Sequence, residues 1–377
     1  MAVSKAGQQV TFSSANFLAV SGDSQTTSDA ITLSSNSVAA QITLKSDHSG
    51  SPLSGDTVDF YILYSTGDPD GSTTDMQPDV IYIKRRDTSG AGQLYDDSRG
   101  ATIFIPMDDS TDAEETASEG LTAFNSDGFT CGSHNGNNNA SGTYVAYCWK
   151  ESATAGFDFM TWAGNETQKT ISHSLSAVPH WIAVKVRGTA KQFTCYHHKM
   201  DADPDNAGIF WQSTAVPTTG TAGYFGNTAP TSSVFTVGTS TNVNQNSDNV
   251  MGYVWTSIQG FSKFGSYTGN GNADGTFVYT GFRPAFVLFK QSSAAGEKWY
   301  MFDSKRNPFN LTNELLMANV SDAESVNTTG APIDILSNGF KIRGTDAAGN
   351  ASGSTYIYMT FAEAPFVNSN GVPCNAR

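Results

Sequence analysis

"SGTYVAYCWKE", residues 141–151, returns almost unchanged as "SGSTYIYMTFAE" at 352–363. Tyr144, Tyr147, Trp149 and Glu151 answer to Tyr356, Met359, Phe361 and Glu363, 212 positions later. Half that offset reaches "VMGYVWTS" at 250–257, where Tyr253 and Trp255 lie 106 residues after Tyr147 and Trp149. Three copies of one phrase are therefore written into the chain. Other landmarks keep the step. Phe129, Phe235 and Phe340 are 106 and 105 apart, and Pro179/Pro284 and Lys185/Lys290 are each 105 apart. "GFDFMTWAGNE" at 156–166 answers to "GFSKFGSYTGNG" at 260–271, and "QPDVIYIK" at 77–84 precedes "VPHWIAVK" by 101. A period this long is a domain length and not a solenoid turn. It predicts three units, each enclosing its own core.

The phrase itself reads as a strand. Val145, Tyr147 and Trp149 alternate with Tyr144, Ala146 and Cys148, and both sets are apolar, so the strand is expected to be central and covered on both faces. "WIAVKV", "AFVLFK" and "IYIK" are further runs of β-branched and aromatic residues. Between them lie turn clusters such as "HNGNNNASG" at 134–142 and "AAGNASG" at 347–353. Helix is expected only at "DAEETASEGL", 112–121, and "LTNELLMA", 311–318. The fold class read from this pattern is all-β: tandem antiparallel β-sandwich modules, jelly-roll-like, behind an N-terminal β segment. The boundaries are 1–77 for the N-terminal segment, 78–155, 156–258 and 259–377 for the repeats. "QVTF", "AITL" and "AAQITLKS" are the strands of the N-terminal unit, and "VDFYILYSTGDPDG" at 58–71 either closes that unit or opens the first repeat.

Composition narrows the function classes. Charged residues are 15% of the 377, aromatics 11%, and 36 Gly and 13 Pro punctuate the chain. The net charge is −14 and "IKRRD" at 83–87 is the one cationic cluster, which argues against nucleic acid as a partner. No apolar run reaches membrane-spanning length, and "MAVSKAGQQVTF" carries no secretory apolar core, so assembly in a cytoplasm is expected. Cys131, Cys148, Cys195 and Cys374 have no metal-ligand spacing and read as free thiols.

The set "YDDSRGA", "LTAFNSDGFT", "GTYVAYCWKE", "GFSKFGSYTGNG", "GFRPAFVLFK" and "YIYMTFAEAPF" resembles a repeat module of tail-fibre-like structural proteins of marine and aquatic bacteriophages. "GDTVDFYILYSTGDPDG" also looks like a segment common in virion proteins, so the resemblance spans roughly residues 55–366. The second copy departs from it: "HHKMDADPDNAG" replaces the usual D-x-x-R-G, and "WTSIQ" lacks the closing Glu. The resemblance implies a virion component and names neither ligand nor reaction. The expected role is a tail-fibre or fibre-like adhesion protein that binds host surface glycan or neighbouring virion proteins. It would self-associate, a homotrimer being the general fibre arrangement. The alternatives are a capsid-decorating or neck protein, and a glycan-degrading tailspike-type enzyme.

Catalytic residues are not assigned. No G-x-S-x-G occurs, and Asp96–Asp97, Asp108–Asp109 and Glu114–Glu115 are sequence neighbours that face opposite ways in an extended segment. His197 and His198, near Asp201 and Asp203, are candidate binding residues, and Trp211 in "GIFWQS" is the candidate aromatic platform for a sugar. No organic cofactor is expected. Asp201, Asp203 and Asp205 alternate as in oxygen-rich calcium loops and are the candidate metal ligands.

Overall fold

The computed structural model describes residues 77–126, 128–327 and 330–362, together with three strands near the N-terminus. The chain divides into two compact units, Met1–Met76 and Gln77–Arg377. In the first unit Ala2–Lys5 pairs antiparallel with Gln8–Thr11 on one side and with Gln41–Thr43 on the other. The last two fall on "QVTF" and "AAQITLKS"; "AITL" and residues 58–71 lie outside the described residues.

The second unit holds three copies of one antiparallel sheet. In the second copy the spatial order is Phe157–Ala163, Asn249–Trp255, Trp181–Val186, Thr194–His197, Ala207–Phe210 and Thr218–Thr219. The third copy repeats it with Ser262–Thr268, Thr355–Ala362, Pro284–Gln291, Tyr300–Asp303, Glu314–Met317 and Ser325–Val326. The first copy shows the same order from Tyr144–Trp149 through Val80–Arg85, Gly92–Asp96 and Ile103–Met107 to Glu115–Thr116. Register confirms the equivalence, because Val80, Trp181 and Phe286 lie opposite Trp149, Trp255 and Phe361. The repeated phrase is thus a central strand in copies two and three. In copy one it is the outer strand among the described residues, and Ala146 and Cys148 are exposed there.

Each sheet is covered on one face by a small layer of its own. These layers are Leu121–Asn125 with Gly128–Cys131, Lys169–Ser172 with Val234–Val237, and Phe277–Tyr279 with Gly339–Ile342 and Ile333–Leu336. Ile81, Ile83, Tyr95, Phe104 and Leu121 fill the first interlayer space, and Val287, Phe289, Phe302, Ile335 and Phe340 are among those filling the third. The expectation of self-contained cores is only half of the arrangement. The opposite face of every sheet is equally apolar, and these inner faces merge. Val80, Tyr82 and Leu94 join Trp181, Ala183 and Tyr253, and Phe286, Leu288 and Met359, in one continuous core. The three repeat-equivalent aromatics meet there, with Trp149 6.3 Å from Trp255 and 6.2 Å from Phe361 between ring centroids. An apolar cavity of about 60 Å³ lies among them.

The segments expected to be helical are strands. Glu115–Thr116 is added to a sheet edge, and Glu314–Met317 lies between Tyr300–Asp303 and Ser325–Val326, where Leu315 and Leu316 are buried on opposite faces, which outweighs their helix propensity. Among the described residues the α-helices are single turns at Asn135–Asn138 and Thr241–Asn244, capped by His134 and Ser240.

Two polar positions fix the repeat. Asn138, Asn244 and Asn350 are spaced by 106 residues, as are Gly132, Gly238 and Gly344. Asn350, wholly buried, donates through Nδ2 to the carbonyls of Asn272 (2.7 Å) and Gly344 (2.9 Å), and its Oδ1 accepts from the Asn270 amide at 2.9 Å. Asn244 repeats this with Thr167, Gly238 and Asn165. Lys84, Lys185 and Lys290 are also fully buried. Lys84 donates to Gly90 O and Val320 O, Lys185 to Lys191 O and Thr111 O, and Lys290 to Glu297 O. Burial lowers each ammonium to about 8, against the partial support of acidic neighbours.

Asn244→Ala and Asn350→Ala each strand buried carbonyls, and urea titration should show a loss of about 2–3 kcal/mol for either. The lysines set an alkaline trend. Between pH about 8 and the ordinary lysine range the folded chain holds fewer protons than the unfolded one, so stability rises with pH across that interval. Replacing the three by Met should flatten that rise in urea titrations run from about pH 7.5 to 9.5.

Candidate functional site

The modules close into a ring, and buried ion pairs lie in two of its seams. Between modules one and two, Arg99 Nε lies 2.5 Å from Asp96 Oδ2, and Tyr253 Oη of module two donates to the same carboxylate at 2.8 Å. Arg187 of module two grips Glu114 of module one at 2.8 and 3.1 Å, and the Glu114 amide donates to Arg187 O. Between modules three and one the same five roles recur. Arg306 pairs with Asp303 at 2.5 Å, Tyr147 donates to Asp303 at 2.7 Å, and Arg86 grips Glu324 at 2.7 and 3.0 Å. Arg306 Nη1 also reaches Glu324 at 2.6 Å. Burial opposes ionisation of Asp303, but the Arg306 charge and hydrogen bonds from Arg306 and Tyr147 hold its carboxyl below the usual range.

The seam between modules two and three has lost all five groups. By register, Asp, Arg and Glu become His197, Met200 and Pro217, while Arg and Tyr become Ser292 and Met359. His197 Nε2 lies 3.2 Å from Tyr358 O, and Trp211 stacks on Trp299 at 5.2 Å with 16° between planes. Trp211 Nε1 donates to Ala318 O and Trp299 Nε1 to Phe210 O. The departure of the second repeat therefore goes with a change at Met359, one module away.

The residues singled out in the sequence fall into two places. Trp211, His197 and His198 come together in this seam. His197 is wholly buried, His198 Nε2 lies 3.1 Å from Phe264 O, and the Trp211 ring packs against Trp299 and Phe193 instead of standing free on a loop. Asp201, Asp203 and Asp205 lie on the turn into a short 3₁₀ segment. The Asp203 amide donates to Asp201 Oδ1, and Asp205 O accepts from Asn227 N. Among the described residues no three His, Cys, Asp or Glu side chains are grouped so as to hold a metal ion. Cys131, Cys148 and Cys195 are free thiols.

A second surface follows from the chain path. Gln77 precedes Val80 and Ala362 closes the last strand; the module links after Trp149 and Trp255 start beside them. Entry, exit and both links thus gather at one end of the ring. The other end carries loops rich in Gly, Asn, Ser and Thr: 86–91, 139–143, 164–168, 187–192, 245–248, 269–276, 292–298 and 351–354. Hydrogen bonds knit them, including Arg86 N to Thr143 O, Gly188 N to Asp248 Oδ1, and Gly269 N to Ser354 O. On the flank, Phe277 and Tyr279 expose 43% and 59% of their surface, where the second module has Thr170 and Ser172. Lys263 sits 5.3 Å over the Tyr279 ring. That pair was missed in the sequence because "GTFVYTG" reads as an ordinary buried strand.

Residues 61–365 match a family described as a domain of unknown function, DUF7483. The chain belongs to the DUF7483 family. The match begins before Gln77 and covers all three modules, so the whole ring is part of the family domain. Searches of curated proteins and of solved structures gave no match.

Arg306→Met leaves Asp303 buried without its counter-charge, and denaturation at neutral pH should show a loss of about 3–5 kcal/mol. Because the folded carboxyl titrates below its unfolded value, its contribution is present above the ordinary carboxylate range and lost as pH falls through the folded value. The gap between wild type and variant should therefore shrink on acidification below about pH 4.

Proposed function

We propose that this DUF7483 protein is a structural and adhesive component of a bacteriophage particle, tethered at one end of its ring and presenting the loop end to a host surface glycan or a neighbouring virion protein. The observation that carries the reading is the polarity of the ring. Chain entry, exit and module links occupy one end, and the Gly/Asn/Ser/Thr loops of all three modules lie at the other. The repeat-module resemblance supports it. So does the use of buried polar groups, since Asp96, Arg99, Asp303 and Arg306 are spent on holding modules together. Short polar loops offer hydroxyl and amide groups to sugar hydroxyls, and exposed rings such as Phe277 and Tyr279 offer faces to sugar C–H groups. Each such contact is weak, and many copies on one particle would supply avidity. Self-association and virion location belong to the same proposal.

Immunogold labelling of purified particles tests the location: the protein should co-purify with virions and be labelled at the tail. Its absence from particles sinks the virion reading, and labelling confined to the head favours a decorating role. Adhesion is tested with arrays of bacterial surface polysaccharide. Ser89→Arg, Asn246→Arg and Ala295→Arg together crowd the loop end with charge while leaving the core intact. They should weaken retention at least about tenfold with no change in melting temperature. Phe277→Ser with Tyr279→Ser asks the same of the flank.

A further inference from the structure

We propose that the seam between the second and third modules is an acid-sensitive latch: protonation of the cluster His180, His197 and His198 parts it, while the two seams held by Arg–carboxylate pairs stay closed. The cluster is compact. The His180 and His198 rings are 4.5 Å apart and perpendicular, and the His197 and His198 rings are 5.2 Å apart. It sits where two modules touch. His198 Nε2 meets Phe264 O on Ser262–Thr268, and His197 Nε2 meets Tyr358 O on Thr355–Ala362, both in module three. His180 Nδ1 lies 2.9 Å from Thr256 Oγ1 on the strand's own side, and Trp181 packs edge-on to His197 at 5.4 Å.

The groups around the cluster favour its neutral form. Lys199 is the charged neighbour acting on all three rings, and it is a cation. Module three presents the carbonyls of Phe264 and Tyr358, which take the Nε2–H that neutral His198 and His197 already carry; an added proton must go to Nδ1, which in His197 already accepts from the Lys199 amide. Where the other two seams have a carboxylate with its arginine, Asp96–Arg99 and Asp303–Arg306, this one has His197 and Met200. Burial, and then the neighbouring rings, hold His197 well below the histidine range; burial and His180 bring His198 down to about 4; burial and then Lys199 lower His180. The closed seam therefore keeps the rings neutral at pH values where free histidine, near 6.5, takes up a proton. Opening binds protons, so the closed form is fully favoured above the free histidine value and loses ground as pH falls below it. A single histidine moved from about 4 to 6.5 shifts the opening equilibrium by well over tenfold between pH about 7.5 and 4.5.

Cys195 supplies the probe, being wholly buried two residues before His197 on the same strand. In the full chain with Cys131, Cys148 and Cys374 changed to Ser, a dithiodipyridine reagent reports its accessibility, with rates taken relative to a small free thiol. Labelling should accelerate at least about tenfold from pH about 7.5 to 4.5. With His180→Gln and His198→Gln added, the acceleration should fall below about threefold. Leu94→Cys with Cys195→Ser places the thiol at the equivalent position in module one, beside an Arg–carboxylate seam, and should stay protected at both pH values. Three outcomes overturn the proposal: no acceleration in the parent, equal acceleration in the His180→Gln/His198→Gln chain, or equal labelling at position 94, which would mean the whole ring opens together.

Discussion

Every sheet of the ring is apolar on both faces, yet its own chain covers only one. The small layer over Val287, Phe289 and Phe302 leaves Phe286 and Leu288 on the other side without a partner from their own module, beyond the neighbouring strand. An exposed face of that size would be unstable in water at roughly 25 cal/mol per Å² of apolar surface. Bringing three such faces together removes all of them from water at once. With three modules, packing any two face to face would leave the third face open. Closure at three is the arrangement in which each inner sheet meets the others, and Trp149, Trp255 and Phe361 are where the three strands converge.

Burial alone would not decide which module sits beside which. Apolar surfaces of similar shape are interchangeable, whereas a buried carboxylate without its arginine is costly. Asp96 needs Tyr253 and Glu114 needs Arg187; Asp303 needs Tyr147 and Glu324 needs Arg86. Those requirements cannot be exchanged with the seam that carries His197, Met200 and Met359, because a tyrosine hydroxyl or arginine there would find no carboxylate. The ring is thus ordered as well as closed.

Much of this was legible in the residues and some was not. The period exposed the modules, and alternation along "YVAYCWK" correctly assigned Val145, Tyr147 and Trp149 to one face and Tyr144 to the other. The doubly apolar character of the strands also pointed to two covered faces. What covered the second face was not legible, since a hydrophobic residue records that it is buried and not against what. The period was read as independent beads for that reason. Seam residues were invisible for a related one. Asp96, Arg99 and Glu114 look like surface charge until a tyrosine 157 residues from Asp96 is seen beside it. The odd composition of the second copy was legible as a departure, and the change that goes with it, Met359, lies in the third. Helix propensity misled at 311–318, where Leu315 and Leu316 serve the two faces of a sheet.

The position of Gln77 and Ala362 also determines how the ring meets a mechanical load. Tension applied through the polypeptide on either side would enter at module one and leave at module three, which are neighbours across a single junction. That junction is the one bound by Arg86, Arg306, Asp303, Glu324 and Tyr147 together. Force would bypass the second module, pulling instead on the densest ionic network among the described residues, so a load on the chain would strain this protein where it is best braced.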